Sequence, residues 1–246
     1  MDVTGKIHAI ETSGMVDGPG IRYVVFTQGC PLRCAYCHNP DTWEQSGKNF
    51  KEVTVSELIP DMLKYKSYFK YSGGGVTLTG GEPLLQKEFC AALFKECKRK
   101  GLHTALDTSG YASIDDATKE VLKYTDLVLL DIKSISPVTY KKVTGVPIYK
   151  TLEFAKFLQS QNITTWVCFV LVPGLTDNPE ELRELAYFLT TLNNIEMVRI
   201  LPFHQLGAYK WQNLDVRYTL KDTPTPTVEE AERVRDMFRQ HGFDTR

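Results

Sequence analysis

Short strand-like runs alternate with longer amphipathic stretches along the whole chain, and this order limits the folds that it can adopt. Strands rich in β-branched and aromatic residues are predicted at 22–28, 75–79, 104–107, 127–131, 165–172 and 197–202. Helices with 3.6-residue periodicity are predicted at 55–68, 87–100, 115–123, 152–161, 179–192 and 228–241. Such alternation predicts an α/β fold in which helices cover a parallel sheet. Because parallel strands end at one edge of a sheet, the turns that follow them should share one rim.

Composition and charge narrow the class of protein further. The 246 residues suit one domain of α/β-barrel size, predicted to span 1–246, and 42% hydrophobic residues suffice for a large core. The 29 Lys and Arg residues nearly balance the 30 Asp and Glu residues, so no overall positive field favours nucleic acid or anionic membranes. The sequence shows neither a secretory leader nor an apolar run of about 18 residues. We therefore expect a soluble, cytoplasmic protein.

Three cysteines follow the first predicted strand in the pattern CxxxCxxC: Cys30, Cys34 and Cys37. Three thiolates on one short loop can hold three irons of a 4Fe-4S cube and leave the fourth iron open to a ligand. A structural zinc site would want a fourth ligand, usually from a second pair of cysteines or histidines, and this chain has no such pair. A disulfide framework is disfavoured because the chain reads as intracellular. The spacing therefore favours an iron-sulfur cluster.

A second pattern, Gly80-Gly81-Glu82 followed by proline, comes directly after the predicted strand 75–79. Two glycines allow backbone groups to approach a neighbour closely, and a glutamate can receive an ammonium group. By itself the pattern is also typical of an ordinary turn from a strand to a helix. Its position on the same predicted rim as the three cysteines favours a ligand-binding turn.

Together with Tyr36 between the second and third cysteines, these residues resemble the radical S-adenosylmethionine enzymes, in particular the pyruvate formate-lyase activating enzymes. The resemblance extends over the whole chain. Its landmarks are VDGPGIR at 16–22, QGC at 28–30, YCHN at 36–39, DTW at 41–43, SGGGV at 72–76, LDT at 106–108, LDIK at 130–133, VPG at 172–174 and LPFH at 201–204.

The resemblance implies a fold, a chemistry and partners. The fold would be a partial (β/α)6 barrel of the TIM type, the radical S-adenosylmethionine fold, with the 4Fe-4S cluster after its first strand. One electron from the reduced cluster would cleave S-adenosylmethionine to methionine and a 5′-deoxyadenosyl radical, which removes an α-hydrogen from a glycine of pyruvate formate-lyase. Flavodoxin or ferredoxin would supply the electron, and the chain would act as a monomer.

The resemblance also assigns roles to individual residues. It implies iron ligation by Cys30, Cys34 and Cys37, adenine contacts from Tyr36 and His38, and methionyl ammonium contacts from Gly80, Gly81 and Glu82, mostly through backbone oxygens. It implies further cofactor contacts from Asp131, Ile132, Lys133 and His204, with Lys133 at the methionyl carboxylate. Asp107 and Thr108, with Asp131, resemble the oxygen ligands of a monovalent cation, and Asp17 resembles a contact to the main chain of the target glycine loop.

Each of these roles has a structural alternative. Asp131 and Lys133 could form a solvated turn, and His204 could be a neutral histidine bonded to backbone in the core. Asp17 could close an Asx-turn within the sequence DGPG. His8 and His103 are expected to be structural.

Three cysteines lie outside the CxxxCxxC loop. Cys90 and Cys97 are seven residues apart on one predicted helix and are expected in the core. Cys168 lies on the fifth predicted strand, where several relatives have arginine, which weakens any anion-binding role at that position. The absence of cysteine from 38–79 favours a single-cluster activating enzyme.

Two other functions are the alternatives. One is a radical enzyme with a small substrate, such as a deazapurine synthase, and the other is a zinc-binding interaction module.

Overall fold

The computed structural model of the chain describes residues 2–45 and 50–246. Its nine strands belong to one sheet, and the chain divides into two compact units. The first unit contains Met1–Pro31 and Thr42–Leu129, and the second contains Leu32–Asp41 and Leu130–Arg246. The expectation of a single domain over 1–246 stays a prediction. In the described ranges, no helix is long and apolar enough to cross a membrane.

The first unit holds five strands, the beginning of a sixth and four helices. Its strands are β1 (Thr4–Gly14), β2 (Arg22–Thr27), β3 (Lys51–Thr54), β4 (Gly75–Gly80), β5 (His103–Thr108) and the start of β6 (Leu127–Asp131), in the order β3-β1-β2-β4-β5-β6. Its helices are α1 (Val55–Leu63), α2 (Lys66–Ser72), α3 (Lys87–Arg99) and α4 (Asp116–Lys123). β2, β4 and β5 run parallel, whereas β1 is antiparallel to β2 and β3.

The second unit holds the end of β6, three further strands and the remaining helices. These are α5 (Pro137–Thr144), α6 (Tyr149–Ser160), β7 (Thr165–Leu171), α7 (Pro179–Thr190), β8 (Ile195–Pro202), α8 (Ala208–Asn213), α9 (Val228–Gln240) and β9 (Asp244–Thr245). The strand order is β6-β7-β8-β9, and β8 runs parallel to both β7 and β9. Leu171 of β7 lines a cleft with Leu182 of α7 and Val234 of α9, so this face of the sheet lies under helices.

Local sequence explains where the helices begin. Thr54 and Glu57 form a reciprocal capping box at α1, and Thr227 and Glu230 form another at α9. The side chain of Asn178 accepts a hydrogen bond from the backbone of α7, whose first residue is proline. Each cap satisfies backbone donors that a helix cannot satisfy itself.

All six predicted strands and all six predicted helical regions are present. The single helix predicted at 55–68 is instead two helices, because Tyr65 leaves the helical conformation and precedes α2. Five elements that the sequence did not reveal, β1, β3, α5, α8 and β9, are also present. Cys90 and Cys97 are both fully buried in α3, as predicted for core residues.

Candidate functional site

The Gly-Gly-Glu turn packs against the backbone that leads into Cys30. The amide of Gly81 donates to Thr27 O at 2.9 Å, and the amide of Glu82 donates to Gly29 O at 2.7 Å. On the other side, the amide of Cys30 donates to Trp43 O at 3.0 Å. The chain before Cys30 is therefore fixed by backbone hydrogen bonds from two directions.

This close packing requires both glycines. A Cβ atom built on Gly80, whose φ is +111°, would overlap the amide nitrogen of Thr27. A Cβ atom built on Gly81 would overlap the carbonyl oxygen of Gly29. The predicted close backbone approach is thus present, with the protein's own backbone as the neighbour.

The side chain of Glu82 points into the protein and is only 1% exposed. Its Oε1 accepts hydrogen bonds from Thr108 Oγ1 at 2.6 Å and from Leu84 N at 3.1 Å. Its Oε2 accepts from the Oγ of Ser109 at 2.5 Å and from its amide at 2.9 Å. Burial raises the pKa of Glu82 above its ordinary value, and these hydrogen bonds counter part of the rise. This carboxylate is engaged within the protein, so an ammonium group would meet the backbone oxygens of the turn, and that contact stays a prediction.

The residues proposed for a monovalent cation are engaged within the protein. Asp107 Oδ2 accepts a hydrogen bond from Thr79 Oγ1 at 2.6 Å, and the Thr108 hydroxyl donates to Glu82. As consecutive residues of β5, Asp107 and Thr108 point their side chains to opposite faces of the sheet. The two side chains cannot both bind one ion, so Thr108 could contribute its backbone oxygen only. The cation site stays a prediction.

Asp17 lies in a turn that a buried arginine supports. Thr77 Oγ1 donates to the backbone oxygen of Asp17 at 2.7 Å and accepts from Nε of Arg22 at 2.9 Å. Arg22 is fully buried and also contacts Nδ1 of His103 at 3.0 Å. Burial, together with the charge of Arg22, lowers the pKa of His103 to about 4, so this histidine is neutral near pH 7. The structural role expected of His103 is confirmed, and a substrate role for Asp17 stays a prediction.

In the second unit, α5 and α8 fix the loop that carries Cys34 and Cys37. The amide of Arg33 donates to Thr144 O at 2.8 Å, at the end of α5. Nε1 of Trp211 in α8 donates to the backbone oxygen of Cys37 at 2.9 Å. The neighbouring Lys210 forms an ion pair of 3.0 Å with Asp41. Two helices missed by the sequence analysis therefore hold the cysteine loop.

The ring of Tyr36 belongs to the core. It packs with Val143, Val172 and Phe203 and is 5% exposed. The Nζ atom of Lys133 lies 5.8 Å from the centre of the ring. The ring therefore supports the cysteine loop from the core, and the adenine contact expected from Tyr36 stays a prediction, for which its backbone atoms are the available part.

Two histidines from distant parts of the sequence meet beside this loop. The rings of His38 and His204 are 4.2 Å apart and inclined by 30°. Nε2 of His38 lies 3.3 Å from the backbone oxygen of His204. The predicted cofactor contacts at positions 38 and 204 are thus neighbours in the fold, and their roles stay predictions.

Asp131 and Lys133 form an ion pair of 2.5 Å, and Lys133 is 9% exposed. Burial alone would lower the pKa of Lys133, but Asp131, Tyr36 and Cys34 together outweigh burial and raise that pKa well above its ordinary value. The lysine is therefore charged. Because the pair is largely buried, it is not a solvated turn. Ile132, between the two charged residues, is fully buried, and its amide donates a hydrogen bond to Cys168 O at 3.2 Å.

Comparisons with known proteins decide the family. The family model described as Radical SAM superfamily matches residues 24–186. A pyruvate formate-lyase-activating enzyme of Staphylococcus epidermidis is 46% identical over 245 residues, which are 98% of this chain and 96% of that protein. The pyruvate formate-lyase 1-activating enzyme of Escherichia coli K12 is 43% identical over 98% of both chains. This chain belongs to the pyruvate formate-lyase activating enzymes.

Solved structures support the fold of this activating enzyme. A domain of a pyruvate-formate lyase-activating enzyme from Bacteroides vulgatus aligns with a TM-score of 0.60 at 24% identity, covering 70% of this chain and 98% of that one. Streptococcus suis SuiB, bound to its precursor peptide SuiA, aligns with a TM-score of 0.67 at 18% identity, covering 91% and 48%. The expected partial (β/α)6 barrel of the radical S-adenosylmethionine type is confirmed.

The cofactors of activating enzymes in this superfamily are a 4Fe-4S cluster and S-adenosylmethionine. The donor set fits, since Cys30, Cys34 and Cys37 are partly exposed and in the thiol form, not in disulfides. Among the described residues, no three His, Cys, Asp or Glu side chains converge as ligands of one ion would. A cube needs no such convergence, because each thiolate binds a different iron.

Other residues that position this site carry no motif of their own. Ser109 donates two hydrogen bonds to Glu82, whereas Lys210 and Trp211 support the cysteine loop through an ion pair and a hydrogen bond. Their only sequence signal is their position after the LDT and LPFH landmarks, by one residue for Ser109 and by six and seven residues for Lys210 and Trp211.

Proposed function

We propose that this chain activates pyruvate formate-lyase by generating its glycyl radical. The observation that carries the proposal is the identity of 43–46% with activating enzymes over 98% of the chain, including the complete CxxxCxxC loop. When bound, the reduced cluster and S-adenosylmethionine supply a 5′-deoxyadenosyl radical, which removes the α-hydrogen of one glycine.

The protein's own residues hold and orient these groups. Cys30, Cys34 and Cys37 ligate iron, and Lys133 provides a buried positive charge for the methionyl carboxylate. His38 and His204 present paired rings for adenosine contacts. Backbone oxygens of Gly80 and Gly81 receive the methionyl ammonium, and Asp107 with Asp131 serves a monovalent cation.

Asp17 contacts the main chain of the lyase's glycine loop. The turn is suited to this role because Thr77 fixes its backbone while the neighbouring Met15 and Val16 are 77% and 68% exposed. A glycine offers no side chain to grip, so a partner must recognise the backbone around it. Flavodoxin or ferredoxin supplies the electron, and the enzyme acts as a cytoplasmic monomer.

Electron paramagnetic resonance of the lyase tests this function. Reduced enzyme, S-adenosylmethionine and pyruvate formate-lyase, incubated without oxygen, should give a glycyl radical signal. Replacing Cys30, Cys34 or Cys37 by Ala should abolish it together with cluster content, whereas Cys90→Ala should retain both. An intact cluster that cleaves S-adenosylmethionine yet produces no lyase radical would contradict the proposal.

Single substitutions separate the cofactor and substrate roles. Lys133→Ala should weaken S-adenosylmethionine binding by the free energy of a charge-assisted contact, about 1.5–3 kcal/mol, with iron content unchanged. Asp17→Ala should impair radical formation on the lyase while cluster content and S-adenosylmethionine affinity stay at parent values. Parent activation by the Asp17 variant would remove Asp17 from the substrate site.

A further inference from the structure

An arginine on β8 faces the same side of the sheet as the cysteine loop. Arg199 pairs with Cys168 in the parallel register of β7 and β8. Side chains alternate between the two faces of a strand, so Val170, two residues beyond Cys168, shares its face. Val170 packs against the core cluster that contains Tyr36. Arg199 therefore projects from the face of the sheet that supports the cysteine loop, opposite the helices α7 and α9.

Asp131 lies in the same row of side chains. The amide of Ile132 donates to Cys168 O at 3.2 Å, and in a parallel ladder this bond places Asp131 beside Cys168. The same rule holds between β7 and β8, where the amide of Thr165 donates to Asn194 O. Asp131, Cys168 and Arg199 thus form one row across three neighbouring strands, with the thiol between the two charged residues.

The charges of this row do not balance within the protein. Asp131 is paired with Lys133 at 2.5 Å. Nη1 of Arg199 contacts Sγ of Cys168 at 3.7 Å, and Arg199 forms no ion pair with any of the described residues. A guanidinium is always charged and carries five donors, and a thiol is a weak acceptor for it. Arg199 is half-buried, so water can solvate part of its charge. The N–H donors of its guanidinium can therefore also bind an anion beside the site.

The row also lies close to the cysteine loop. Lys133, which is paired with Asp131, lies with its Nζ atom 5.8 Å from the centre of the ring of Tyr36, a residue of the cysteine loop. Among these three side chains, the two cations Lys133 and Arg199 exceed the one carboxylate, Asp131, by one positive charge. One further carboxylate would neutralise this group.

We propose that Arg199 binds the carboxylate of the methionyl group of S-adenosylmethionine. The guanidinium reaches the site across the small side chain of Cys168, from within β8, whereas the LPFH motif assigned a ligand only at His204, after this strand ends. Its planar donors match a carboxylate with two parallel hydrogen bonds, which a lysine cannot provide. The inference rests on the proposed function for the identity of the ligand, and it makes Arg199 a second carboxylate contact beside Lys133.

Binding measurements with a pair of ligands test this role. The reconstituted enzyme, with its cluster oxidised so that no cleavage occurs, is equilibrated anaerobically with S-adenosylmethionine or with decarboxylated S-adenosylmethionine. Arg199→Gln should lose about 10- to 100-fold in affinity for S-adenosylmethionine and keep its affinity for the decarboxylated ligand. Arg199→Lys should lie between the parent and Arg199→Gln.

A matched control removes the same charge elsewhere. Arg183 of α7 is exposed, on the opposite face of the sheet, and Arg183→Gln should leave both affinities at parent values. The ratio of the two affinities, taken from one preparation, does not depend on how much of a variant is folded. An unchanged ratio in Arg199→Gln overturns the proposal, whether both affinities fall together or neither falls.

The outcome is separable from that of the proposed function. The binding assay contains no lyase, so a changed ratio supports Arg199 even if the parent enzyme gives no glycyl radical. Conversely, radical formation by the parent together with an unchanged ratio keeps the function and removes Arg199 from the cofactor site.

Discussion

Replacing Glu82 by glutamine tests whether this residue holds the structure or binds the cofactor. The carboxylate accepts two hydrogen bonds at each oxygen, from Thr108 and Leu84 on one side and from the Ser109 side chain and amide on the other. Glu82→Gln keeps the shape of the side chain but turns one acceptor into a donor. A hydroxyl can rotate to suit the new amide, whereas a backbone N–H cannot.

The size of the effect follows from these contacts. In either orientation the glutamine leaves one buried amide, that of Ser109 or Leu84, without an acceptor, which costs about 1–3 kcal/mol. The remaining hydrogen bonds lose the assistance of the charge, about 1 kcal/mol more. Relief from burying an ionised carboxylate offsets part of this cost. We expect Glu82→Gln to lower the free energy of unfolding by about 2–4 kcal/mol, out of the roughly 5–15 kcal/mol typical of a domain.

Urea unfolding of the iron-free protein measures this loss directly. Glu88→Gln, at an exposed position of α3, is the control and should change stability by less than about 0.5 kcal/mol. S-adenosylmethionine affinity of the reconstituted Glu82 variant should follow its folded fraction. Unchanged unfolding combined with a loss of affinity would refute the structural reasoning and return Glu82 to the ammonium site.

The pH dependence of stability provides a second test of Glu82. Since burial raises the pKa of Glu82 above 4.5, its contribution to stability is present below that value and is lost as the pH rises through the raised pKa. Glu82→Gln has no such titration. The stability difference between parent and variant should therefore be larger in acid than at neutral pH.

Three further substitutions test the supports of the site. Thr77→Val removes the hydroxyl between Asp17 and Arg22 and should raise the lyase concentration needed for half-maximal activation severalfold at unchanged S-adenosylmethionine affinity, whereas Thr77→Ser should behave as the parent. Gly81→Ala should reduce iron per chain, measured by metal analysis, because its Cβ overlaps the backbone that leads into the cysteine loop. His103→Gln should reduce the fall in stability against urea that the parent shows between about pH 6.5 and 4. The lowered pKa of His103 means that the neutral histidine stabilises the fold above that range, and this contribution disappears as the pH falls through about 4.

The sequence alone was enough to locate the regular elements whose signals are local. The strand at 127–131 was predicted with the bounds that the structure has for Leu127–Asp131. The missed helix Ala208–Asn213 has only six residues, too few to establish a periodic pattern, and it is stabilised by contacts such as that of Trp211 with the cysteine loop. The missed strand Thr4–Gly14 buries few of its side chains, so its alternation is weak, and pairing with two neighbours maintains it.

The sequence by itself predicted the chemistry of this protein, because three cysteines within eight residues are close enough together to bind one cluster. Tertiary structure decided which neighbouring side chains face that chemistry. Glu82 turns away to Ser109, the ring of Tyr36 enters the core, and Arg199 stands in a row with Asp131. These relations depend on strand register, which joins residues tens of positions apart, and a shift of one residue would move every side chain to the other face. No local pattern records that register.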